Sequence, residues 1–274
     1  MSEKSNRILS LVRHHDRDWE RALYFSLGSG FGLPLNSLPF EMTLNRVPYP
    51  LILQHRDSVE ALEAILFGQA GFLDPATGRG PYASSLYRQF LQHSHVLQLP
   101  PLEKHLWKLL RLRPASFPSV RIAQFAFLAH KRFPMLEPLL EARSLAQFEQ
   151  LLKTRAGEYW NTHYRFGLGS PESVKHLGQE AVRSLLINAI VPFLMAFGKE
   201  SKDPRVIRQA TMMVHELEAE SNHIMRKWAA LGIVPRNAFE SQALIQLHEG
   251  YCKQKRCLDC QIGMFFIERT LGEK

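Results

Sequence analysis

The chain has 274 residues, of which 45% are hydrophobic and 22% are charged. This length and composition exclude a largely disordered chain, because enough apolar surface is present to build a core without disulfides or metals. The net charge of +8 favours anionic partners, such as nucleic acid or an acidic protein, although solubility alone also accounts for a charge of this size.

The start of the chain and its longest apolar run give no targeting or membrane signal. The first twenty residues are polar and charged after a short apolar run, unlike a signal peptide. Residues 185–198 are apolar, but they are fewer than the roughly 20 that span a bilayer, and they include Asn188 and Pro192. We therefore expect a cytoplasmic protein without a membrane partner, in which the cysteines stay reduced.

Apolar residues recur mainly with the period of an α-helix. The helices that this period predicts cover, in chain order, residues 5–15, 19–28, 57–71, 82–99, 101–114, 118–133, 145–154, 179–198, 203–220, 222–232, 238–252 and 260–271.

Candidate helix starts accompany several of these segments. Asp16 or Asp18, Asp57 or Ser58, and Ser116 or Ser119 are candidate N-terminal caps. Ser144 with Gln147 forms a capping box, and Pro171 after Ser170 resembles a helix start. Pro192 should kink the most apolar helix.

Alternating strand patterns are scarce, so the sequence predicts an all-α fold. We expect an irregular multi-helix bundle of about ten to twelve helices, with few or no strands. The predicted domain is a single helical one, 1–274, with possible sub-lobes 1–99 and 102–274. Residues 74–81 and 99–101 are the best hinge candidates.

All three cysteines lie in the segment YCKQKRCLDC, residues 251–260. Cys252, Cys257 and Cys260 have the spacing C-x4-C-x2-C, and His248 lies one helical turn before the first of them. Three thiolates and an imidazole suit a tetrahedral zinc ion. An iron–sulfur cluster lacks its fourth cysteine, a redox C-x-x-C lacks a preceding strand, and simple packing of buried cysteines remains open.

Residues 111–132 form the most basic stretch and could bind an anion or nucleic acid. Arg111, Arg113 and Arg121 lie beside a predicted helix start, where backbone N–H groups attract anions. The alternative is that these arginines form ion pairs with carboxylates such as Glu103, Glu137 or Glu158. The further candidates of the same kind are the cations of the cysteine segment, Lys253, Lys255 and Arg256.

An aromatic cluster with polar groups occupies residues 158–167. Trp160, His163 and Tyr164 could line a ligand pocket, or they could form the edge of a core in which each polar group finds one partner.

Four stretches together resemble a known family. They are HRDSVEALEAILFGQAGFL, RLRPASFPSVRIAQFA, YWNTHYRFG and SQALIQLHEGYCKQKRCLDCQIG. In this order they resemble a bacterial family, common in Bacteroidetes, known as domain of unknown function 2851. The resemblance covers the helical C-terminal part of longer members, which implies a separate N-terminal or partner domain. It includes the three cysteines but not His248, and it implies no activity.

The sequence therefore predicts a basic helical module that binds nucleic acid or supports a catalytic partner domain, with a possible zinc site. The alternatives are an enzyme with a pocket around Trp160, His163 and Arg113, and a protein–protein interaction scaffold.

Overall fold

The structure is a computed structural model that describes residues 2–73, 80–93 and 96–272. These residues are mostly helical with one small two-stranded sheet, which confirms the predicted all-α fold. They fall into two compact units, Ser2–Ile207 and Arg208–Lys274. The predicted single domain 1–274, with possible sub-lobes 1–99 and 102–274, stays a prediction, and the hinge predicted at 74–81 lies mostly outside the described residues.

The first unit contains eleven named helical segments within the described residues. They are α1 (Ser2–His14), α2 (Trp19–Phe31), α3 (Leu33–Leu44), α4 (Tyr49–Gln54), α5 (Val59–Gln69), α6 (Gly80–His93), α7 (Pro118–Arg132), α8 (Leu136–Glu141), α9 (Leu145–Leu152), α10 (Gln179–Leu185) and α11 (Val191–Glu200).

Three predicted caps start helices of this unit. The side chain of Asp18 accepts a hydrogen bond from the N–H of Arg21, at 3.0 Å, at the start of α2. Ser58 caps α5 in the same way, and Ser144 with Gln147 forms the predicted capping box of α9. Each cap satisfies a backbone N–H that lacks a partner in the first turn.

Aromatic side chains fill much of the core of the first unit. Phe125 of α7 packs against Phe31 of α2, with ring centroids 5.3 Å apart, and also contacts Tyr24 and Phe40. The edge-to-face geometry of several of these pairs is the one that aromatic quadrupoles favour. Helix α7 therefore lies in the centre of the unit, and these ring contacts fix the position of its first turn.

The helix predicted over residues 101–114 is wrong. Within that range the structure has only the short 3-10 turn Lys104–Leu106 and the first residue of a second one, Pro114–Ser116. The indole N–H of Trp107 donates to the carbonyl of Ala70, at 2.8 Å, and the amide side chain of Asn36 bonds both the N–H and the C=O of Lys108. These tertiary bonds satisfy backbone groups that a helix would otherwise pair, so helix propensity is overruled.

Helix α7 begins differently from the prediction. Its N-cap is Phe117, without a side-chain cap, so the predicted caps Ser116 and Ser119 are wrong. The Ser119 hydroxyl instead donates to the carbonyl of Tyr164, at 2.5 Å. The first turn of α7 is therefore tied to the chain that follows α9.

The chain between α9 and α10 is mostly irregular. It includes a 3-10 helix, Glu158–Thr162, and a hairpin of β1 (His163–Arg165) and β2 (Leu168–Gly169) around Gly167, whose φ is 71°. The helix predicted at Pro171 is wrong. The backbone N–H groups of this segment instead bond to earlier residues of the loop. For example, the N–H of Ser173 donates to the carbonyl of Asn161 at 2.8 Å.

Helices α10 and α11 are joined by a π turn, Leu186–Ile190, into one continuous helix, Gln179–Glu200. The π turn lies just before Pro192, which has no N–H to continue the regular ladder. By length and composition alone, this is the one helix among the described residues that could cross a membrane. However, 72% of its most apolar window is buried within the structure, as in a core helix.

The Arg208–Lys274 unit is built from shorter elements. Helix α12 (Pro204–Glu216) contains the boundary between the units, and α13 (His223–Ala230) and α14 (Ala238–Leu247) follow. A π turn (His248–Cys252), a 3-10 turn (Cys257–Asp259) and α15 (Gln261–Gly272) complete the described chain. Asn222 and Asn237 cap α13 and α14 through their side chains.

The close approach of α5 and α6 gives a test of the packing of the first unit. A Cβ atom at Gly68 would lie 2.1 Å from the Phe90 ring. We expect Gly68→Ala to lower the free energy of unfolding in urea by about 1–3 kcal/mol, despite its better helix propensity, because the ring must move.

The matched control is Gly178→Ala, at which an added Cβ has no neighbour within 4 Å. We expect it to change stability by less than about 0.5 kcal/mol. Equal effects of the two substitutions would contradict the packing of α5 on α6.

Candidate functional site

A buried carboxyl group ties together three elements of the first unit. Glu63, on α5, is 0% exposed. The indole N–H of Trp160 donates to both of its oxygens, at 3.0 and 3.1 Å, and the Tyr82 hydroxyl donates to Oε2 at 2.9 Å. No cation pairs with this carboxyl among the described residues. Glu63 thus connects α5, α6 and the 3-10 helix that precedes the hairpin.

Burial raises the pKa of Glu63 to about 7, and the nearby charge of Glu60 acts in the same direction. The hydrogen bonds from Trp160 and Tyr82 act against this rise, because they stabilise the carboxylate. The carboxyl can therefore hold a proton near neutral pH, which removes the cost of a buried charge.

Stacked rings extend from this carboxyl toward the hairpin. The Tyr82 ring stacks on Tyr159 at 4.1 Å, and Tyr159 stacks on His163 at the same distance. The Tyr159 hydroxyl accepts a hydrogen bond from the N–H of Gly167 at 3.0 Å. These contacts fix the hairpin against the anchored 3-10 helix.

The predicted pocket residues have different environments. Trp160 is fully buried and packs on Phe67, whereas His163 and Tyr164 are half-buried. Arg113 is exposed and, among the described residues, makes no contact with Trp160 or His163. Trp160 is therefore a core residue, and a pocket at this position stays a prediction.

Positive charge is concentrated around α7. Residues 104–136 contain seven Lys or Arg and no Asp or Glu, and eleven Lys or Arg lie between Lys108 and Lys175. None of these eleven forms an ion pair within the described residues. The ion pairs of Lys and Arg lie elsewhere, as in Arg205 with Asp203 and Arg236 with Glu240. The predicted alternative, pairing of the basic stretch with carboxylates, is therefore not what the structure shows.

Several of these cations lie against aromatic rings. The guanidinium of Arg165 lies 4.6 Å from the centroid of Phe117, at the start of α7. Arg155 and Lys131 share the ring of Phe127, at 5.0 and 5.8 Å. A cation over a ring face is attracted by its quadrupole and stays available to a second, anionic partner.

Four cations at or near the surface define what we call the cationic surface. Its members are Arg113, Lys131, Arg155 and Arg165. Arg111 is also exposed and has a positive φ of 63°, whereas Arg121 is buried. Of the three predicted arginines, the structure thus exposes two and places the third in the interior.

The cysteine segment belongs to the second unit. Cys252 and Cys257 are exposed and Cys260 is buried, and all three are free thiols. His248 contacts Glu249 through Nδ1 at 3.2 Å. Among the described residues, no group of three or more His, Cys, Asp or Glu side chains is placed to hold a metal ion.

The cations of this segment are exposed, and two of them have carboxylate partners. Lys253 pairs with Glu249 at 2.7 Å and Arg256 with Asp259 at 2.9 Å. Lys255 is exposed in a turn with a φ of 54°. This segment is therefore closer to neutral than the surroundings of α7.

Residues 1–223 match a family model described as Protein of unknown function (DUF2851). The chain belongs to this family. No curated protein and no solved structure matches it. The DUF2851 match includes α7 and the buried Glu63, but it ends before the cysteine segment. Family membership therefore lends no weight to the cysteine motif, and the bacterial distribution and C-terminal position stay expectations.

Three residues of this DUF2851 protein were not predicted from the sequence, namely Glu63, Tyr82 and Lys175. Glu63 carries a usable signal, because it is a single carboxylate inside the apolar run ALEAILFG on the buried side of a helix. Lys175 has no such signal, since it lies in an irregular segment whose burial depends on tertiary contacts alone.

The raised pKa of Glu63 predicts a pH dependence of stability. Between about 4.5 and about 7, folded Glu63 keeps a proton that the unfolded chain has lost. The stability of the wild-type protein should therefore fall as pH rises through this window, relative to Glu63→Gln, by about 3 kcal/mol in total.

Urea unfolding of both proteins across this pH range measures the difference. His15, whose pKa burial lowers to about 4, acts in the opposite direction but is common to both proteins and cancels. Parallel stability curves would show that Glu63 does not hold a proton in the fold.

Proposed function

We propose that the Ser2–Ile207 unit binds nucleic acid through the cationic surface. The observation that carries this proposal is that none of the eleven Lys and Arg side chains from Lys108 to Lys175 forms an ion pair with a described carboxylate. Unpaired like charges repel one another, and a polyanion removes that repulsion while releasing its counterions.

The aromatic contacts support the same proposal. Arg165 and Arg155 lie on ring faces, which hold the guanidinium groups in place without neutralising their charge. Phosphate contacts that are fixed in position lose less conformational entropy on binding than free side chains do. Binding through such contacts follows the phosphate backbone and has little sequence preference.

The anchor at Glu63 gives the surface a rigid support. Arg165 lies on β1, which follows the 3-10 helix held by the Trp160–Glu63 hydrogen bonds. A partner domain that carries out chemistry on the bound nucleic acid is compatible with this role, as the resemblance to longer family members implies.

Fluorescence anisotropy with a labelled oligonucleotide of about 20 nucleotides tests the proposal. We expect binding at low salt whose affinity falls linearly with the logarithm of salt concentration. Arg113→Gln and Arg165→Gln should each reduce the salt slope by about 0.7 for a single strand, because each removes one phosphate contact.

Arg205→Gln is the matched control. Arg205 is an exposed arginine of the same unit, but it is paired with Asp203 at 2.9 Å. Loss of binding in all three variants, or no binding by the wild type at low salt, would overturn the proposal.

Zinc binding by Cys252, Cys257, Cys260 and His248 stays a prediction. Elemental analysis of protein purified without chelators is expected to find about one zinc per chain, and Cys257→Ser should lose it. Protein that contains no zinc after such a purification would contradict zinc binding. Cys260 would then be a packing residue, and Cys252 and Cys257 would be surface residues.

The enzyme and scaffold alternatives also stay predictions.

A further inference from the structure

A buried arginine without an anion lies at the first turns of α7. Arg121 is 7% exposed. Its Nη1 donates to Oε1 of Gln124 at 3.1 Å, and its Nε is buried without a partner. No carboxylate pairs with it in the described part of the chain. Burial lowers the pKa of Arg121 to about 10, so the guanidinium still carries its charge at neutral pH.

Such an arrangement is unfavourable without a ligand. A guanidinium that leaves water needs a charged partner and several hydrogen-bond acceptors to offset its lost hydration. One neutral amide oxygen, from Gln124, supplies little of this. The uncompensated charge of the Arg121 guanidinium therefore indicates that the ligand-bound protein holds an anion here.

A second buried cation lies close to the same helix. Lys175 is 5% exposed, and its Nζ donates to the Ser173 hydroxyl at 2.6 Å and to the carbonyl of Asn161 at 3.1 Å. Its ammonium also lies 4.2 Å from the centroid of the Tyr164 ring. Like Arg121, it has no carboxylate partner among the described residues.

Gln124 joins the two segments that carry these cations. Its oxygen accepts from Arg121, and its Nε2 donates to the carbonyl of Lys175 at 3.0 Å. The same amide therefore holds the start of α7 against the loop segment that contains Lys175. The two segments that carry these cations are therefore held together before any ligand binds.

Two further features of these segments favour an anion. Oδ1 of Asn161 is buried without a hydrogen bond, and it can accept one from a protonated phosphate oxygen. The start of α7, a helix of 15 residues, has no side-chain cap, so its positive end adds to the attraction for an anion.

We propose that Arg121 and Lys175 hold one phosphate group at the start of α7, either as free phosphate or as part of a larger phosphorylated ligand. This site is separate from the exposed cationic surface. It does not depend on the nucleic-acid proposal, although a phosphate of a bound strand is one source of its ligand.

Thermal unfolding in inorganic phosphate, with ionic strength held constant by potassium chloride, tests the site. We expect phosphate to raise the melting temperature of the wild type, since at a hundred times its dissociation constant it shifts the folding equilibrium about 100-fold. Arg121→Met should lose this response and melt at or above the wild type without phosphate, because it removes an unpaired buried charge.

Arg205→Gln is the control, because it removes an exposed cation of the same unit that lies outside the cationic surface and should keep the full response. If Arg121→Met does not fold, Lys175→Gln and calorimetric titration of the wild type with phosphate provide the same test. A wild type that responds no more to phosphate than to chloride, or an Arg121→Met variant with the full response, would overturn the proposal.

The oligonucleotide assay with Arg121→Met then separates the two sources. Loss of the phosphate response with nucleic-acid binding intact assigns the site to a free phosphate compound, and loss of both assigns it to a phosphate of the strand. A phosphate response in a protein that binds no nucleic acid would reject only the surface proposal.

Discussion

The hydrogen bonds between Glu63 and Trp160 are the constraint on which the candidate site depends. They hold the irregular chain after α9 against α5, and Tyr82 extends the contact to α6. The hairpin, Arg165 and Lys175 all lie on this chain. Because few regular backbone hydrogen bonds support an irregular segment, its shape must come from such side-chain bonds.

Among the described residues, the same unit contains a buried acid, Glu63, and a buried guanidinium, Arg121, neither of which has a counter-ion. The two differ in how they can avoid the cost of burial. Glu63 can take up a proton, as its raised pKa shows, and become a neutral hydrogen-bonded group. Arg121 stays charged at any physiological pH, so only an anion can neutralise it. This difference is why Glu63 is a structural anchor and Arg121 indicates a ligand.

Local signals in the sequence predicted much of the fold. Caps at Asp18, Ser58 and Ser144 were correct because they depend on neighbouring residues alone. Helices α3 and α4 were missed, since Pro34, Pro39 and Pro48 suggest breaks where the chain is in fact helical. The predicted end of α2 at Gly28 was also wrong, because the helix continues to Phe31.

Tertiary contacts decided what the sequence could not reveal. Trp107 and Asn36 hold residues 101–113 in an irregular path that their helical pattern does not predict. The basic stretch at 111–132 was recognised, but the burial of Arg121 depends on Gln124 and on a loop distant in sequence. The aromatic cluster was recognised as well, whereas its partner Glu63 lies 97 residues away.

Hydrogen–deuterium exchange of Trp160→Phe tests the anchoring role of Glu63 most directly. The substitution keeps an aromatic ring, removes the donor to the carboxyl and leaves a small cavity where the larger indole was buried. Amides of residues 157–175 should exchange about tenfold faster or more. Amides of the continuous helix Gln179–Glu200 should keep their protection. Unchanged protection of residues 157–175, or an equal loss across the whole unit, would contradict the account.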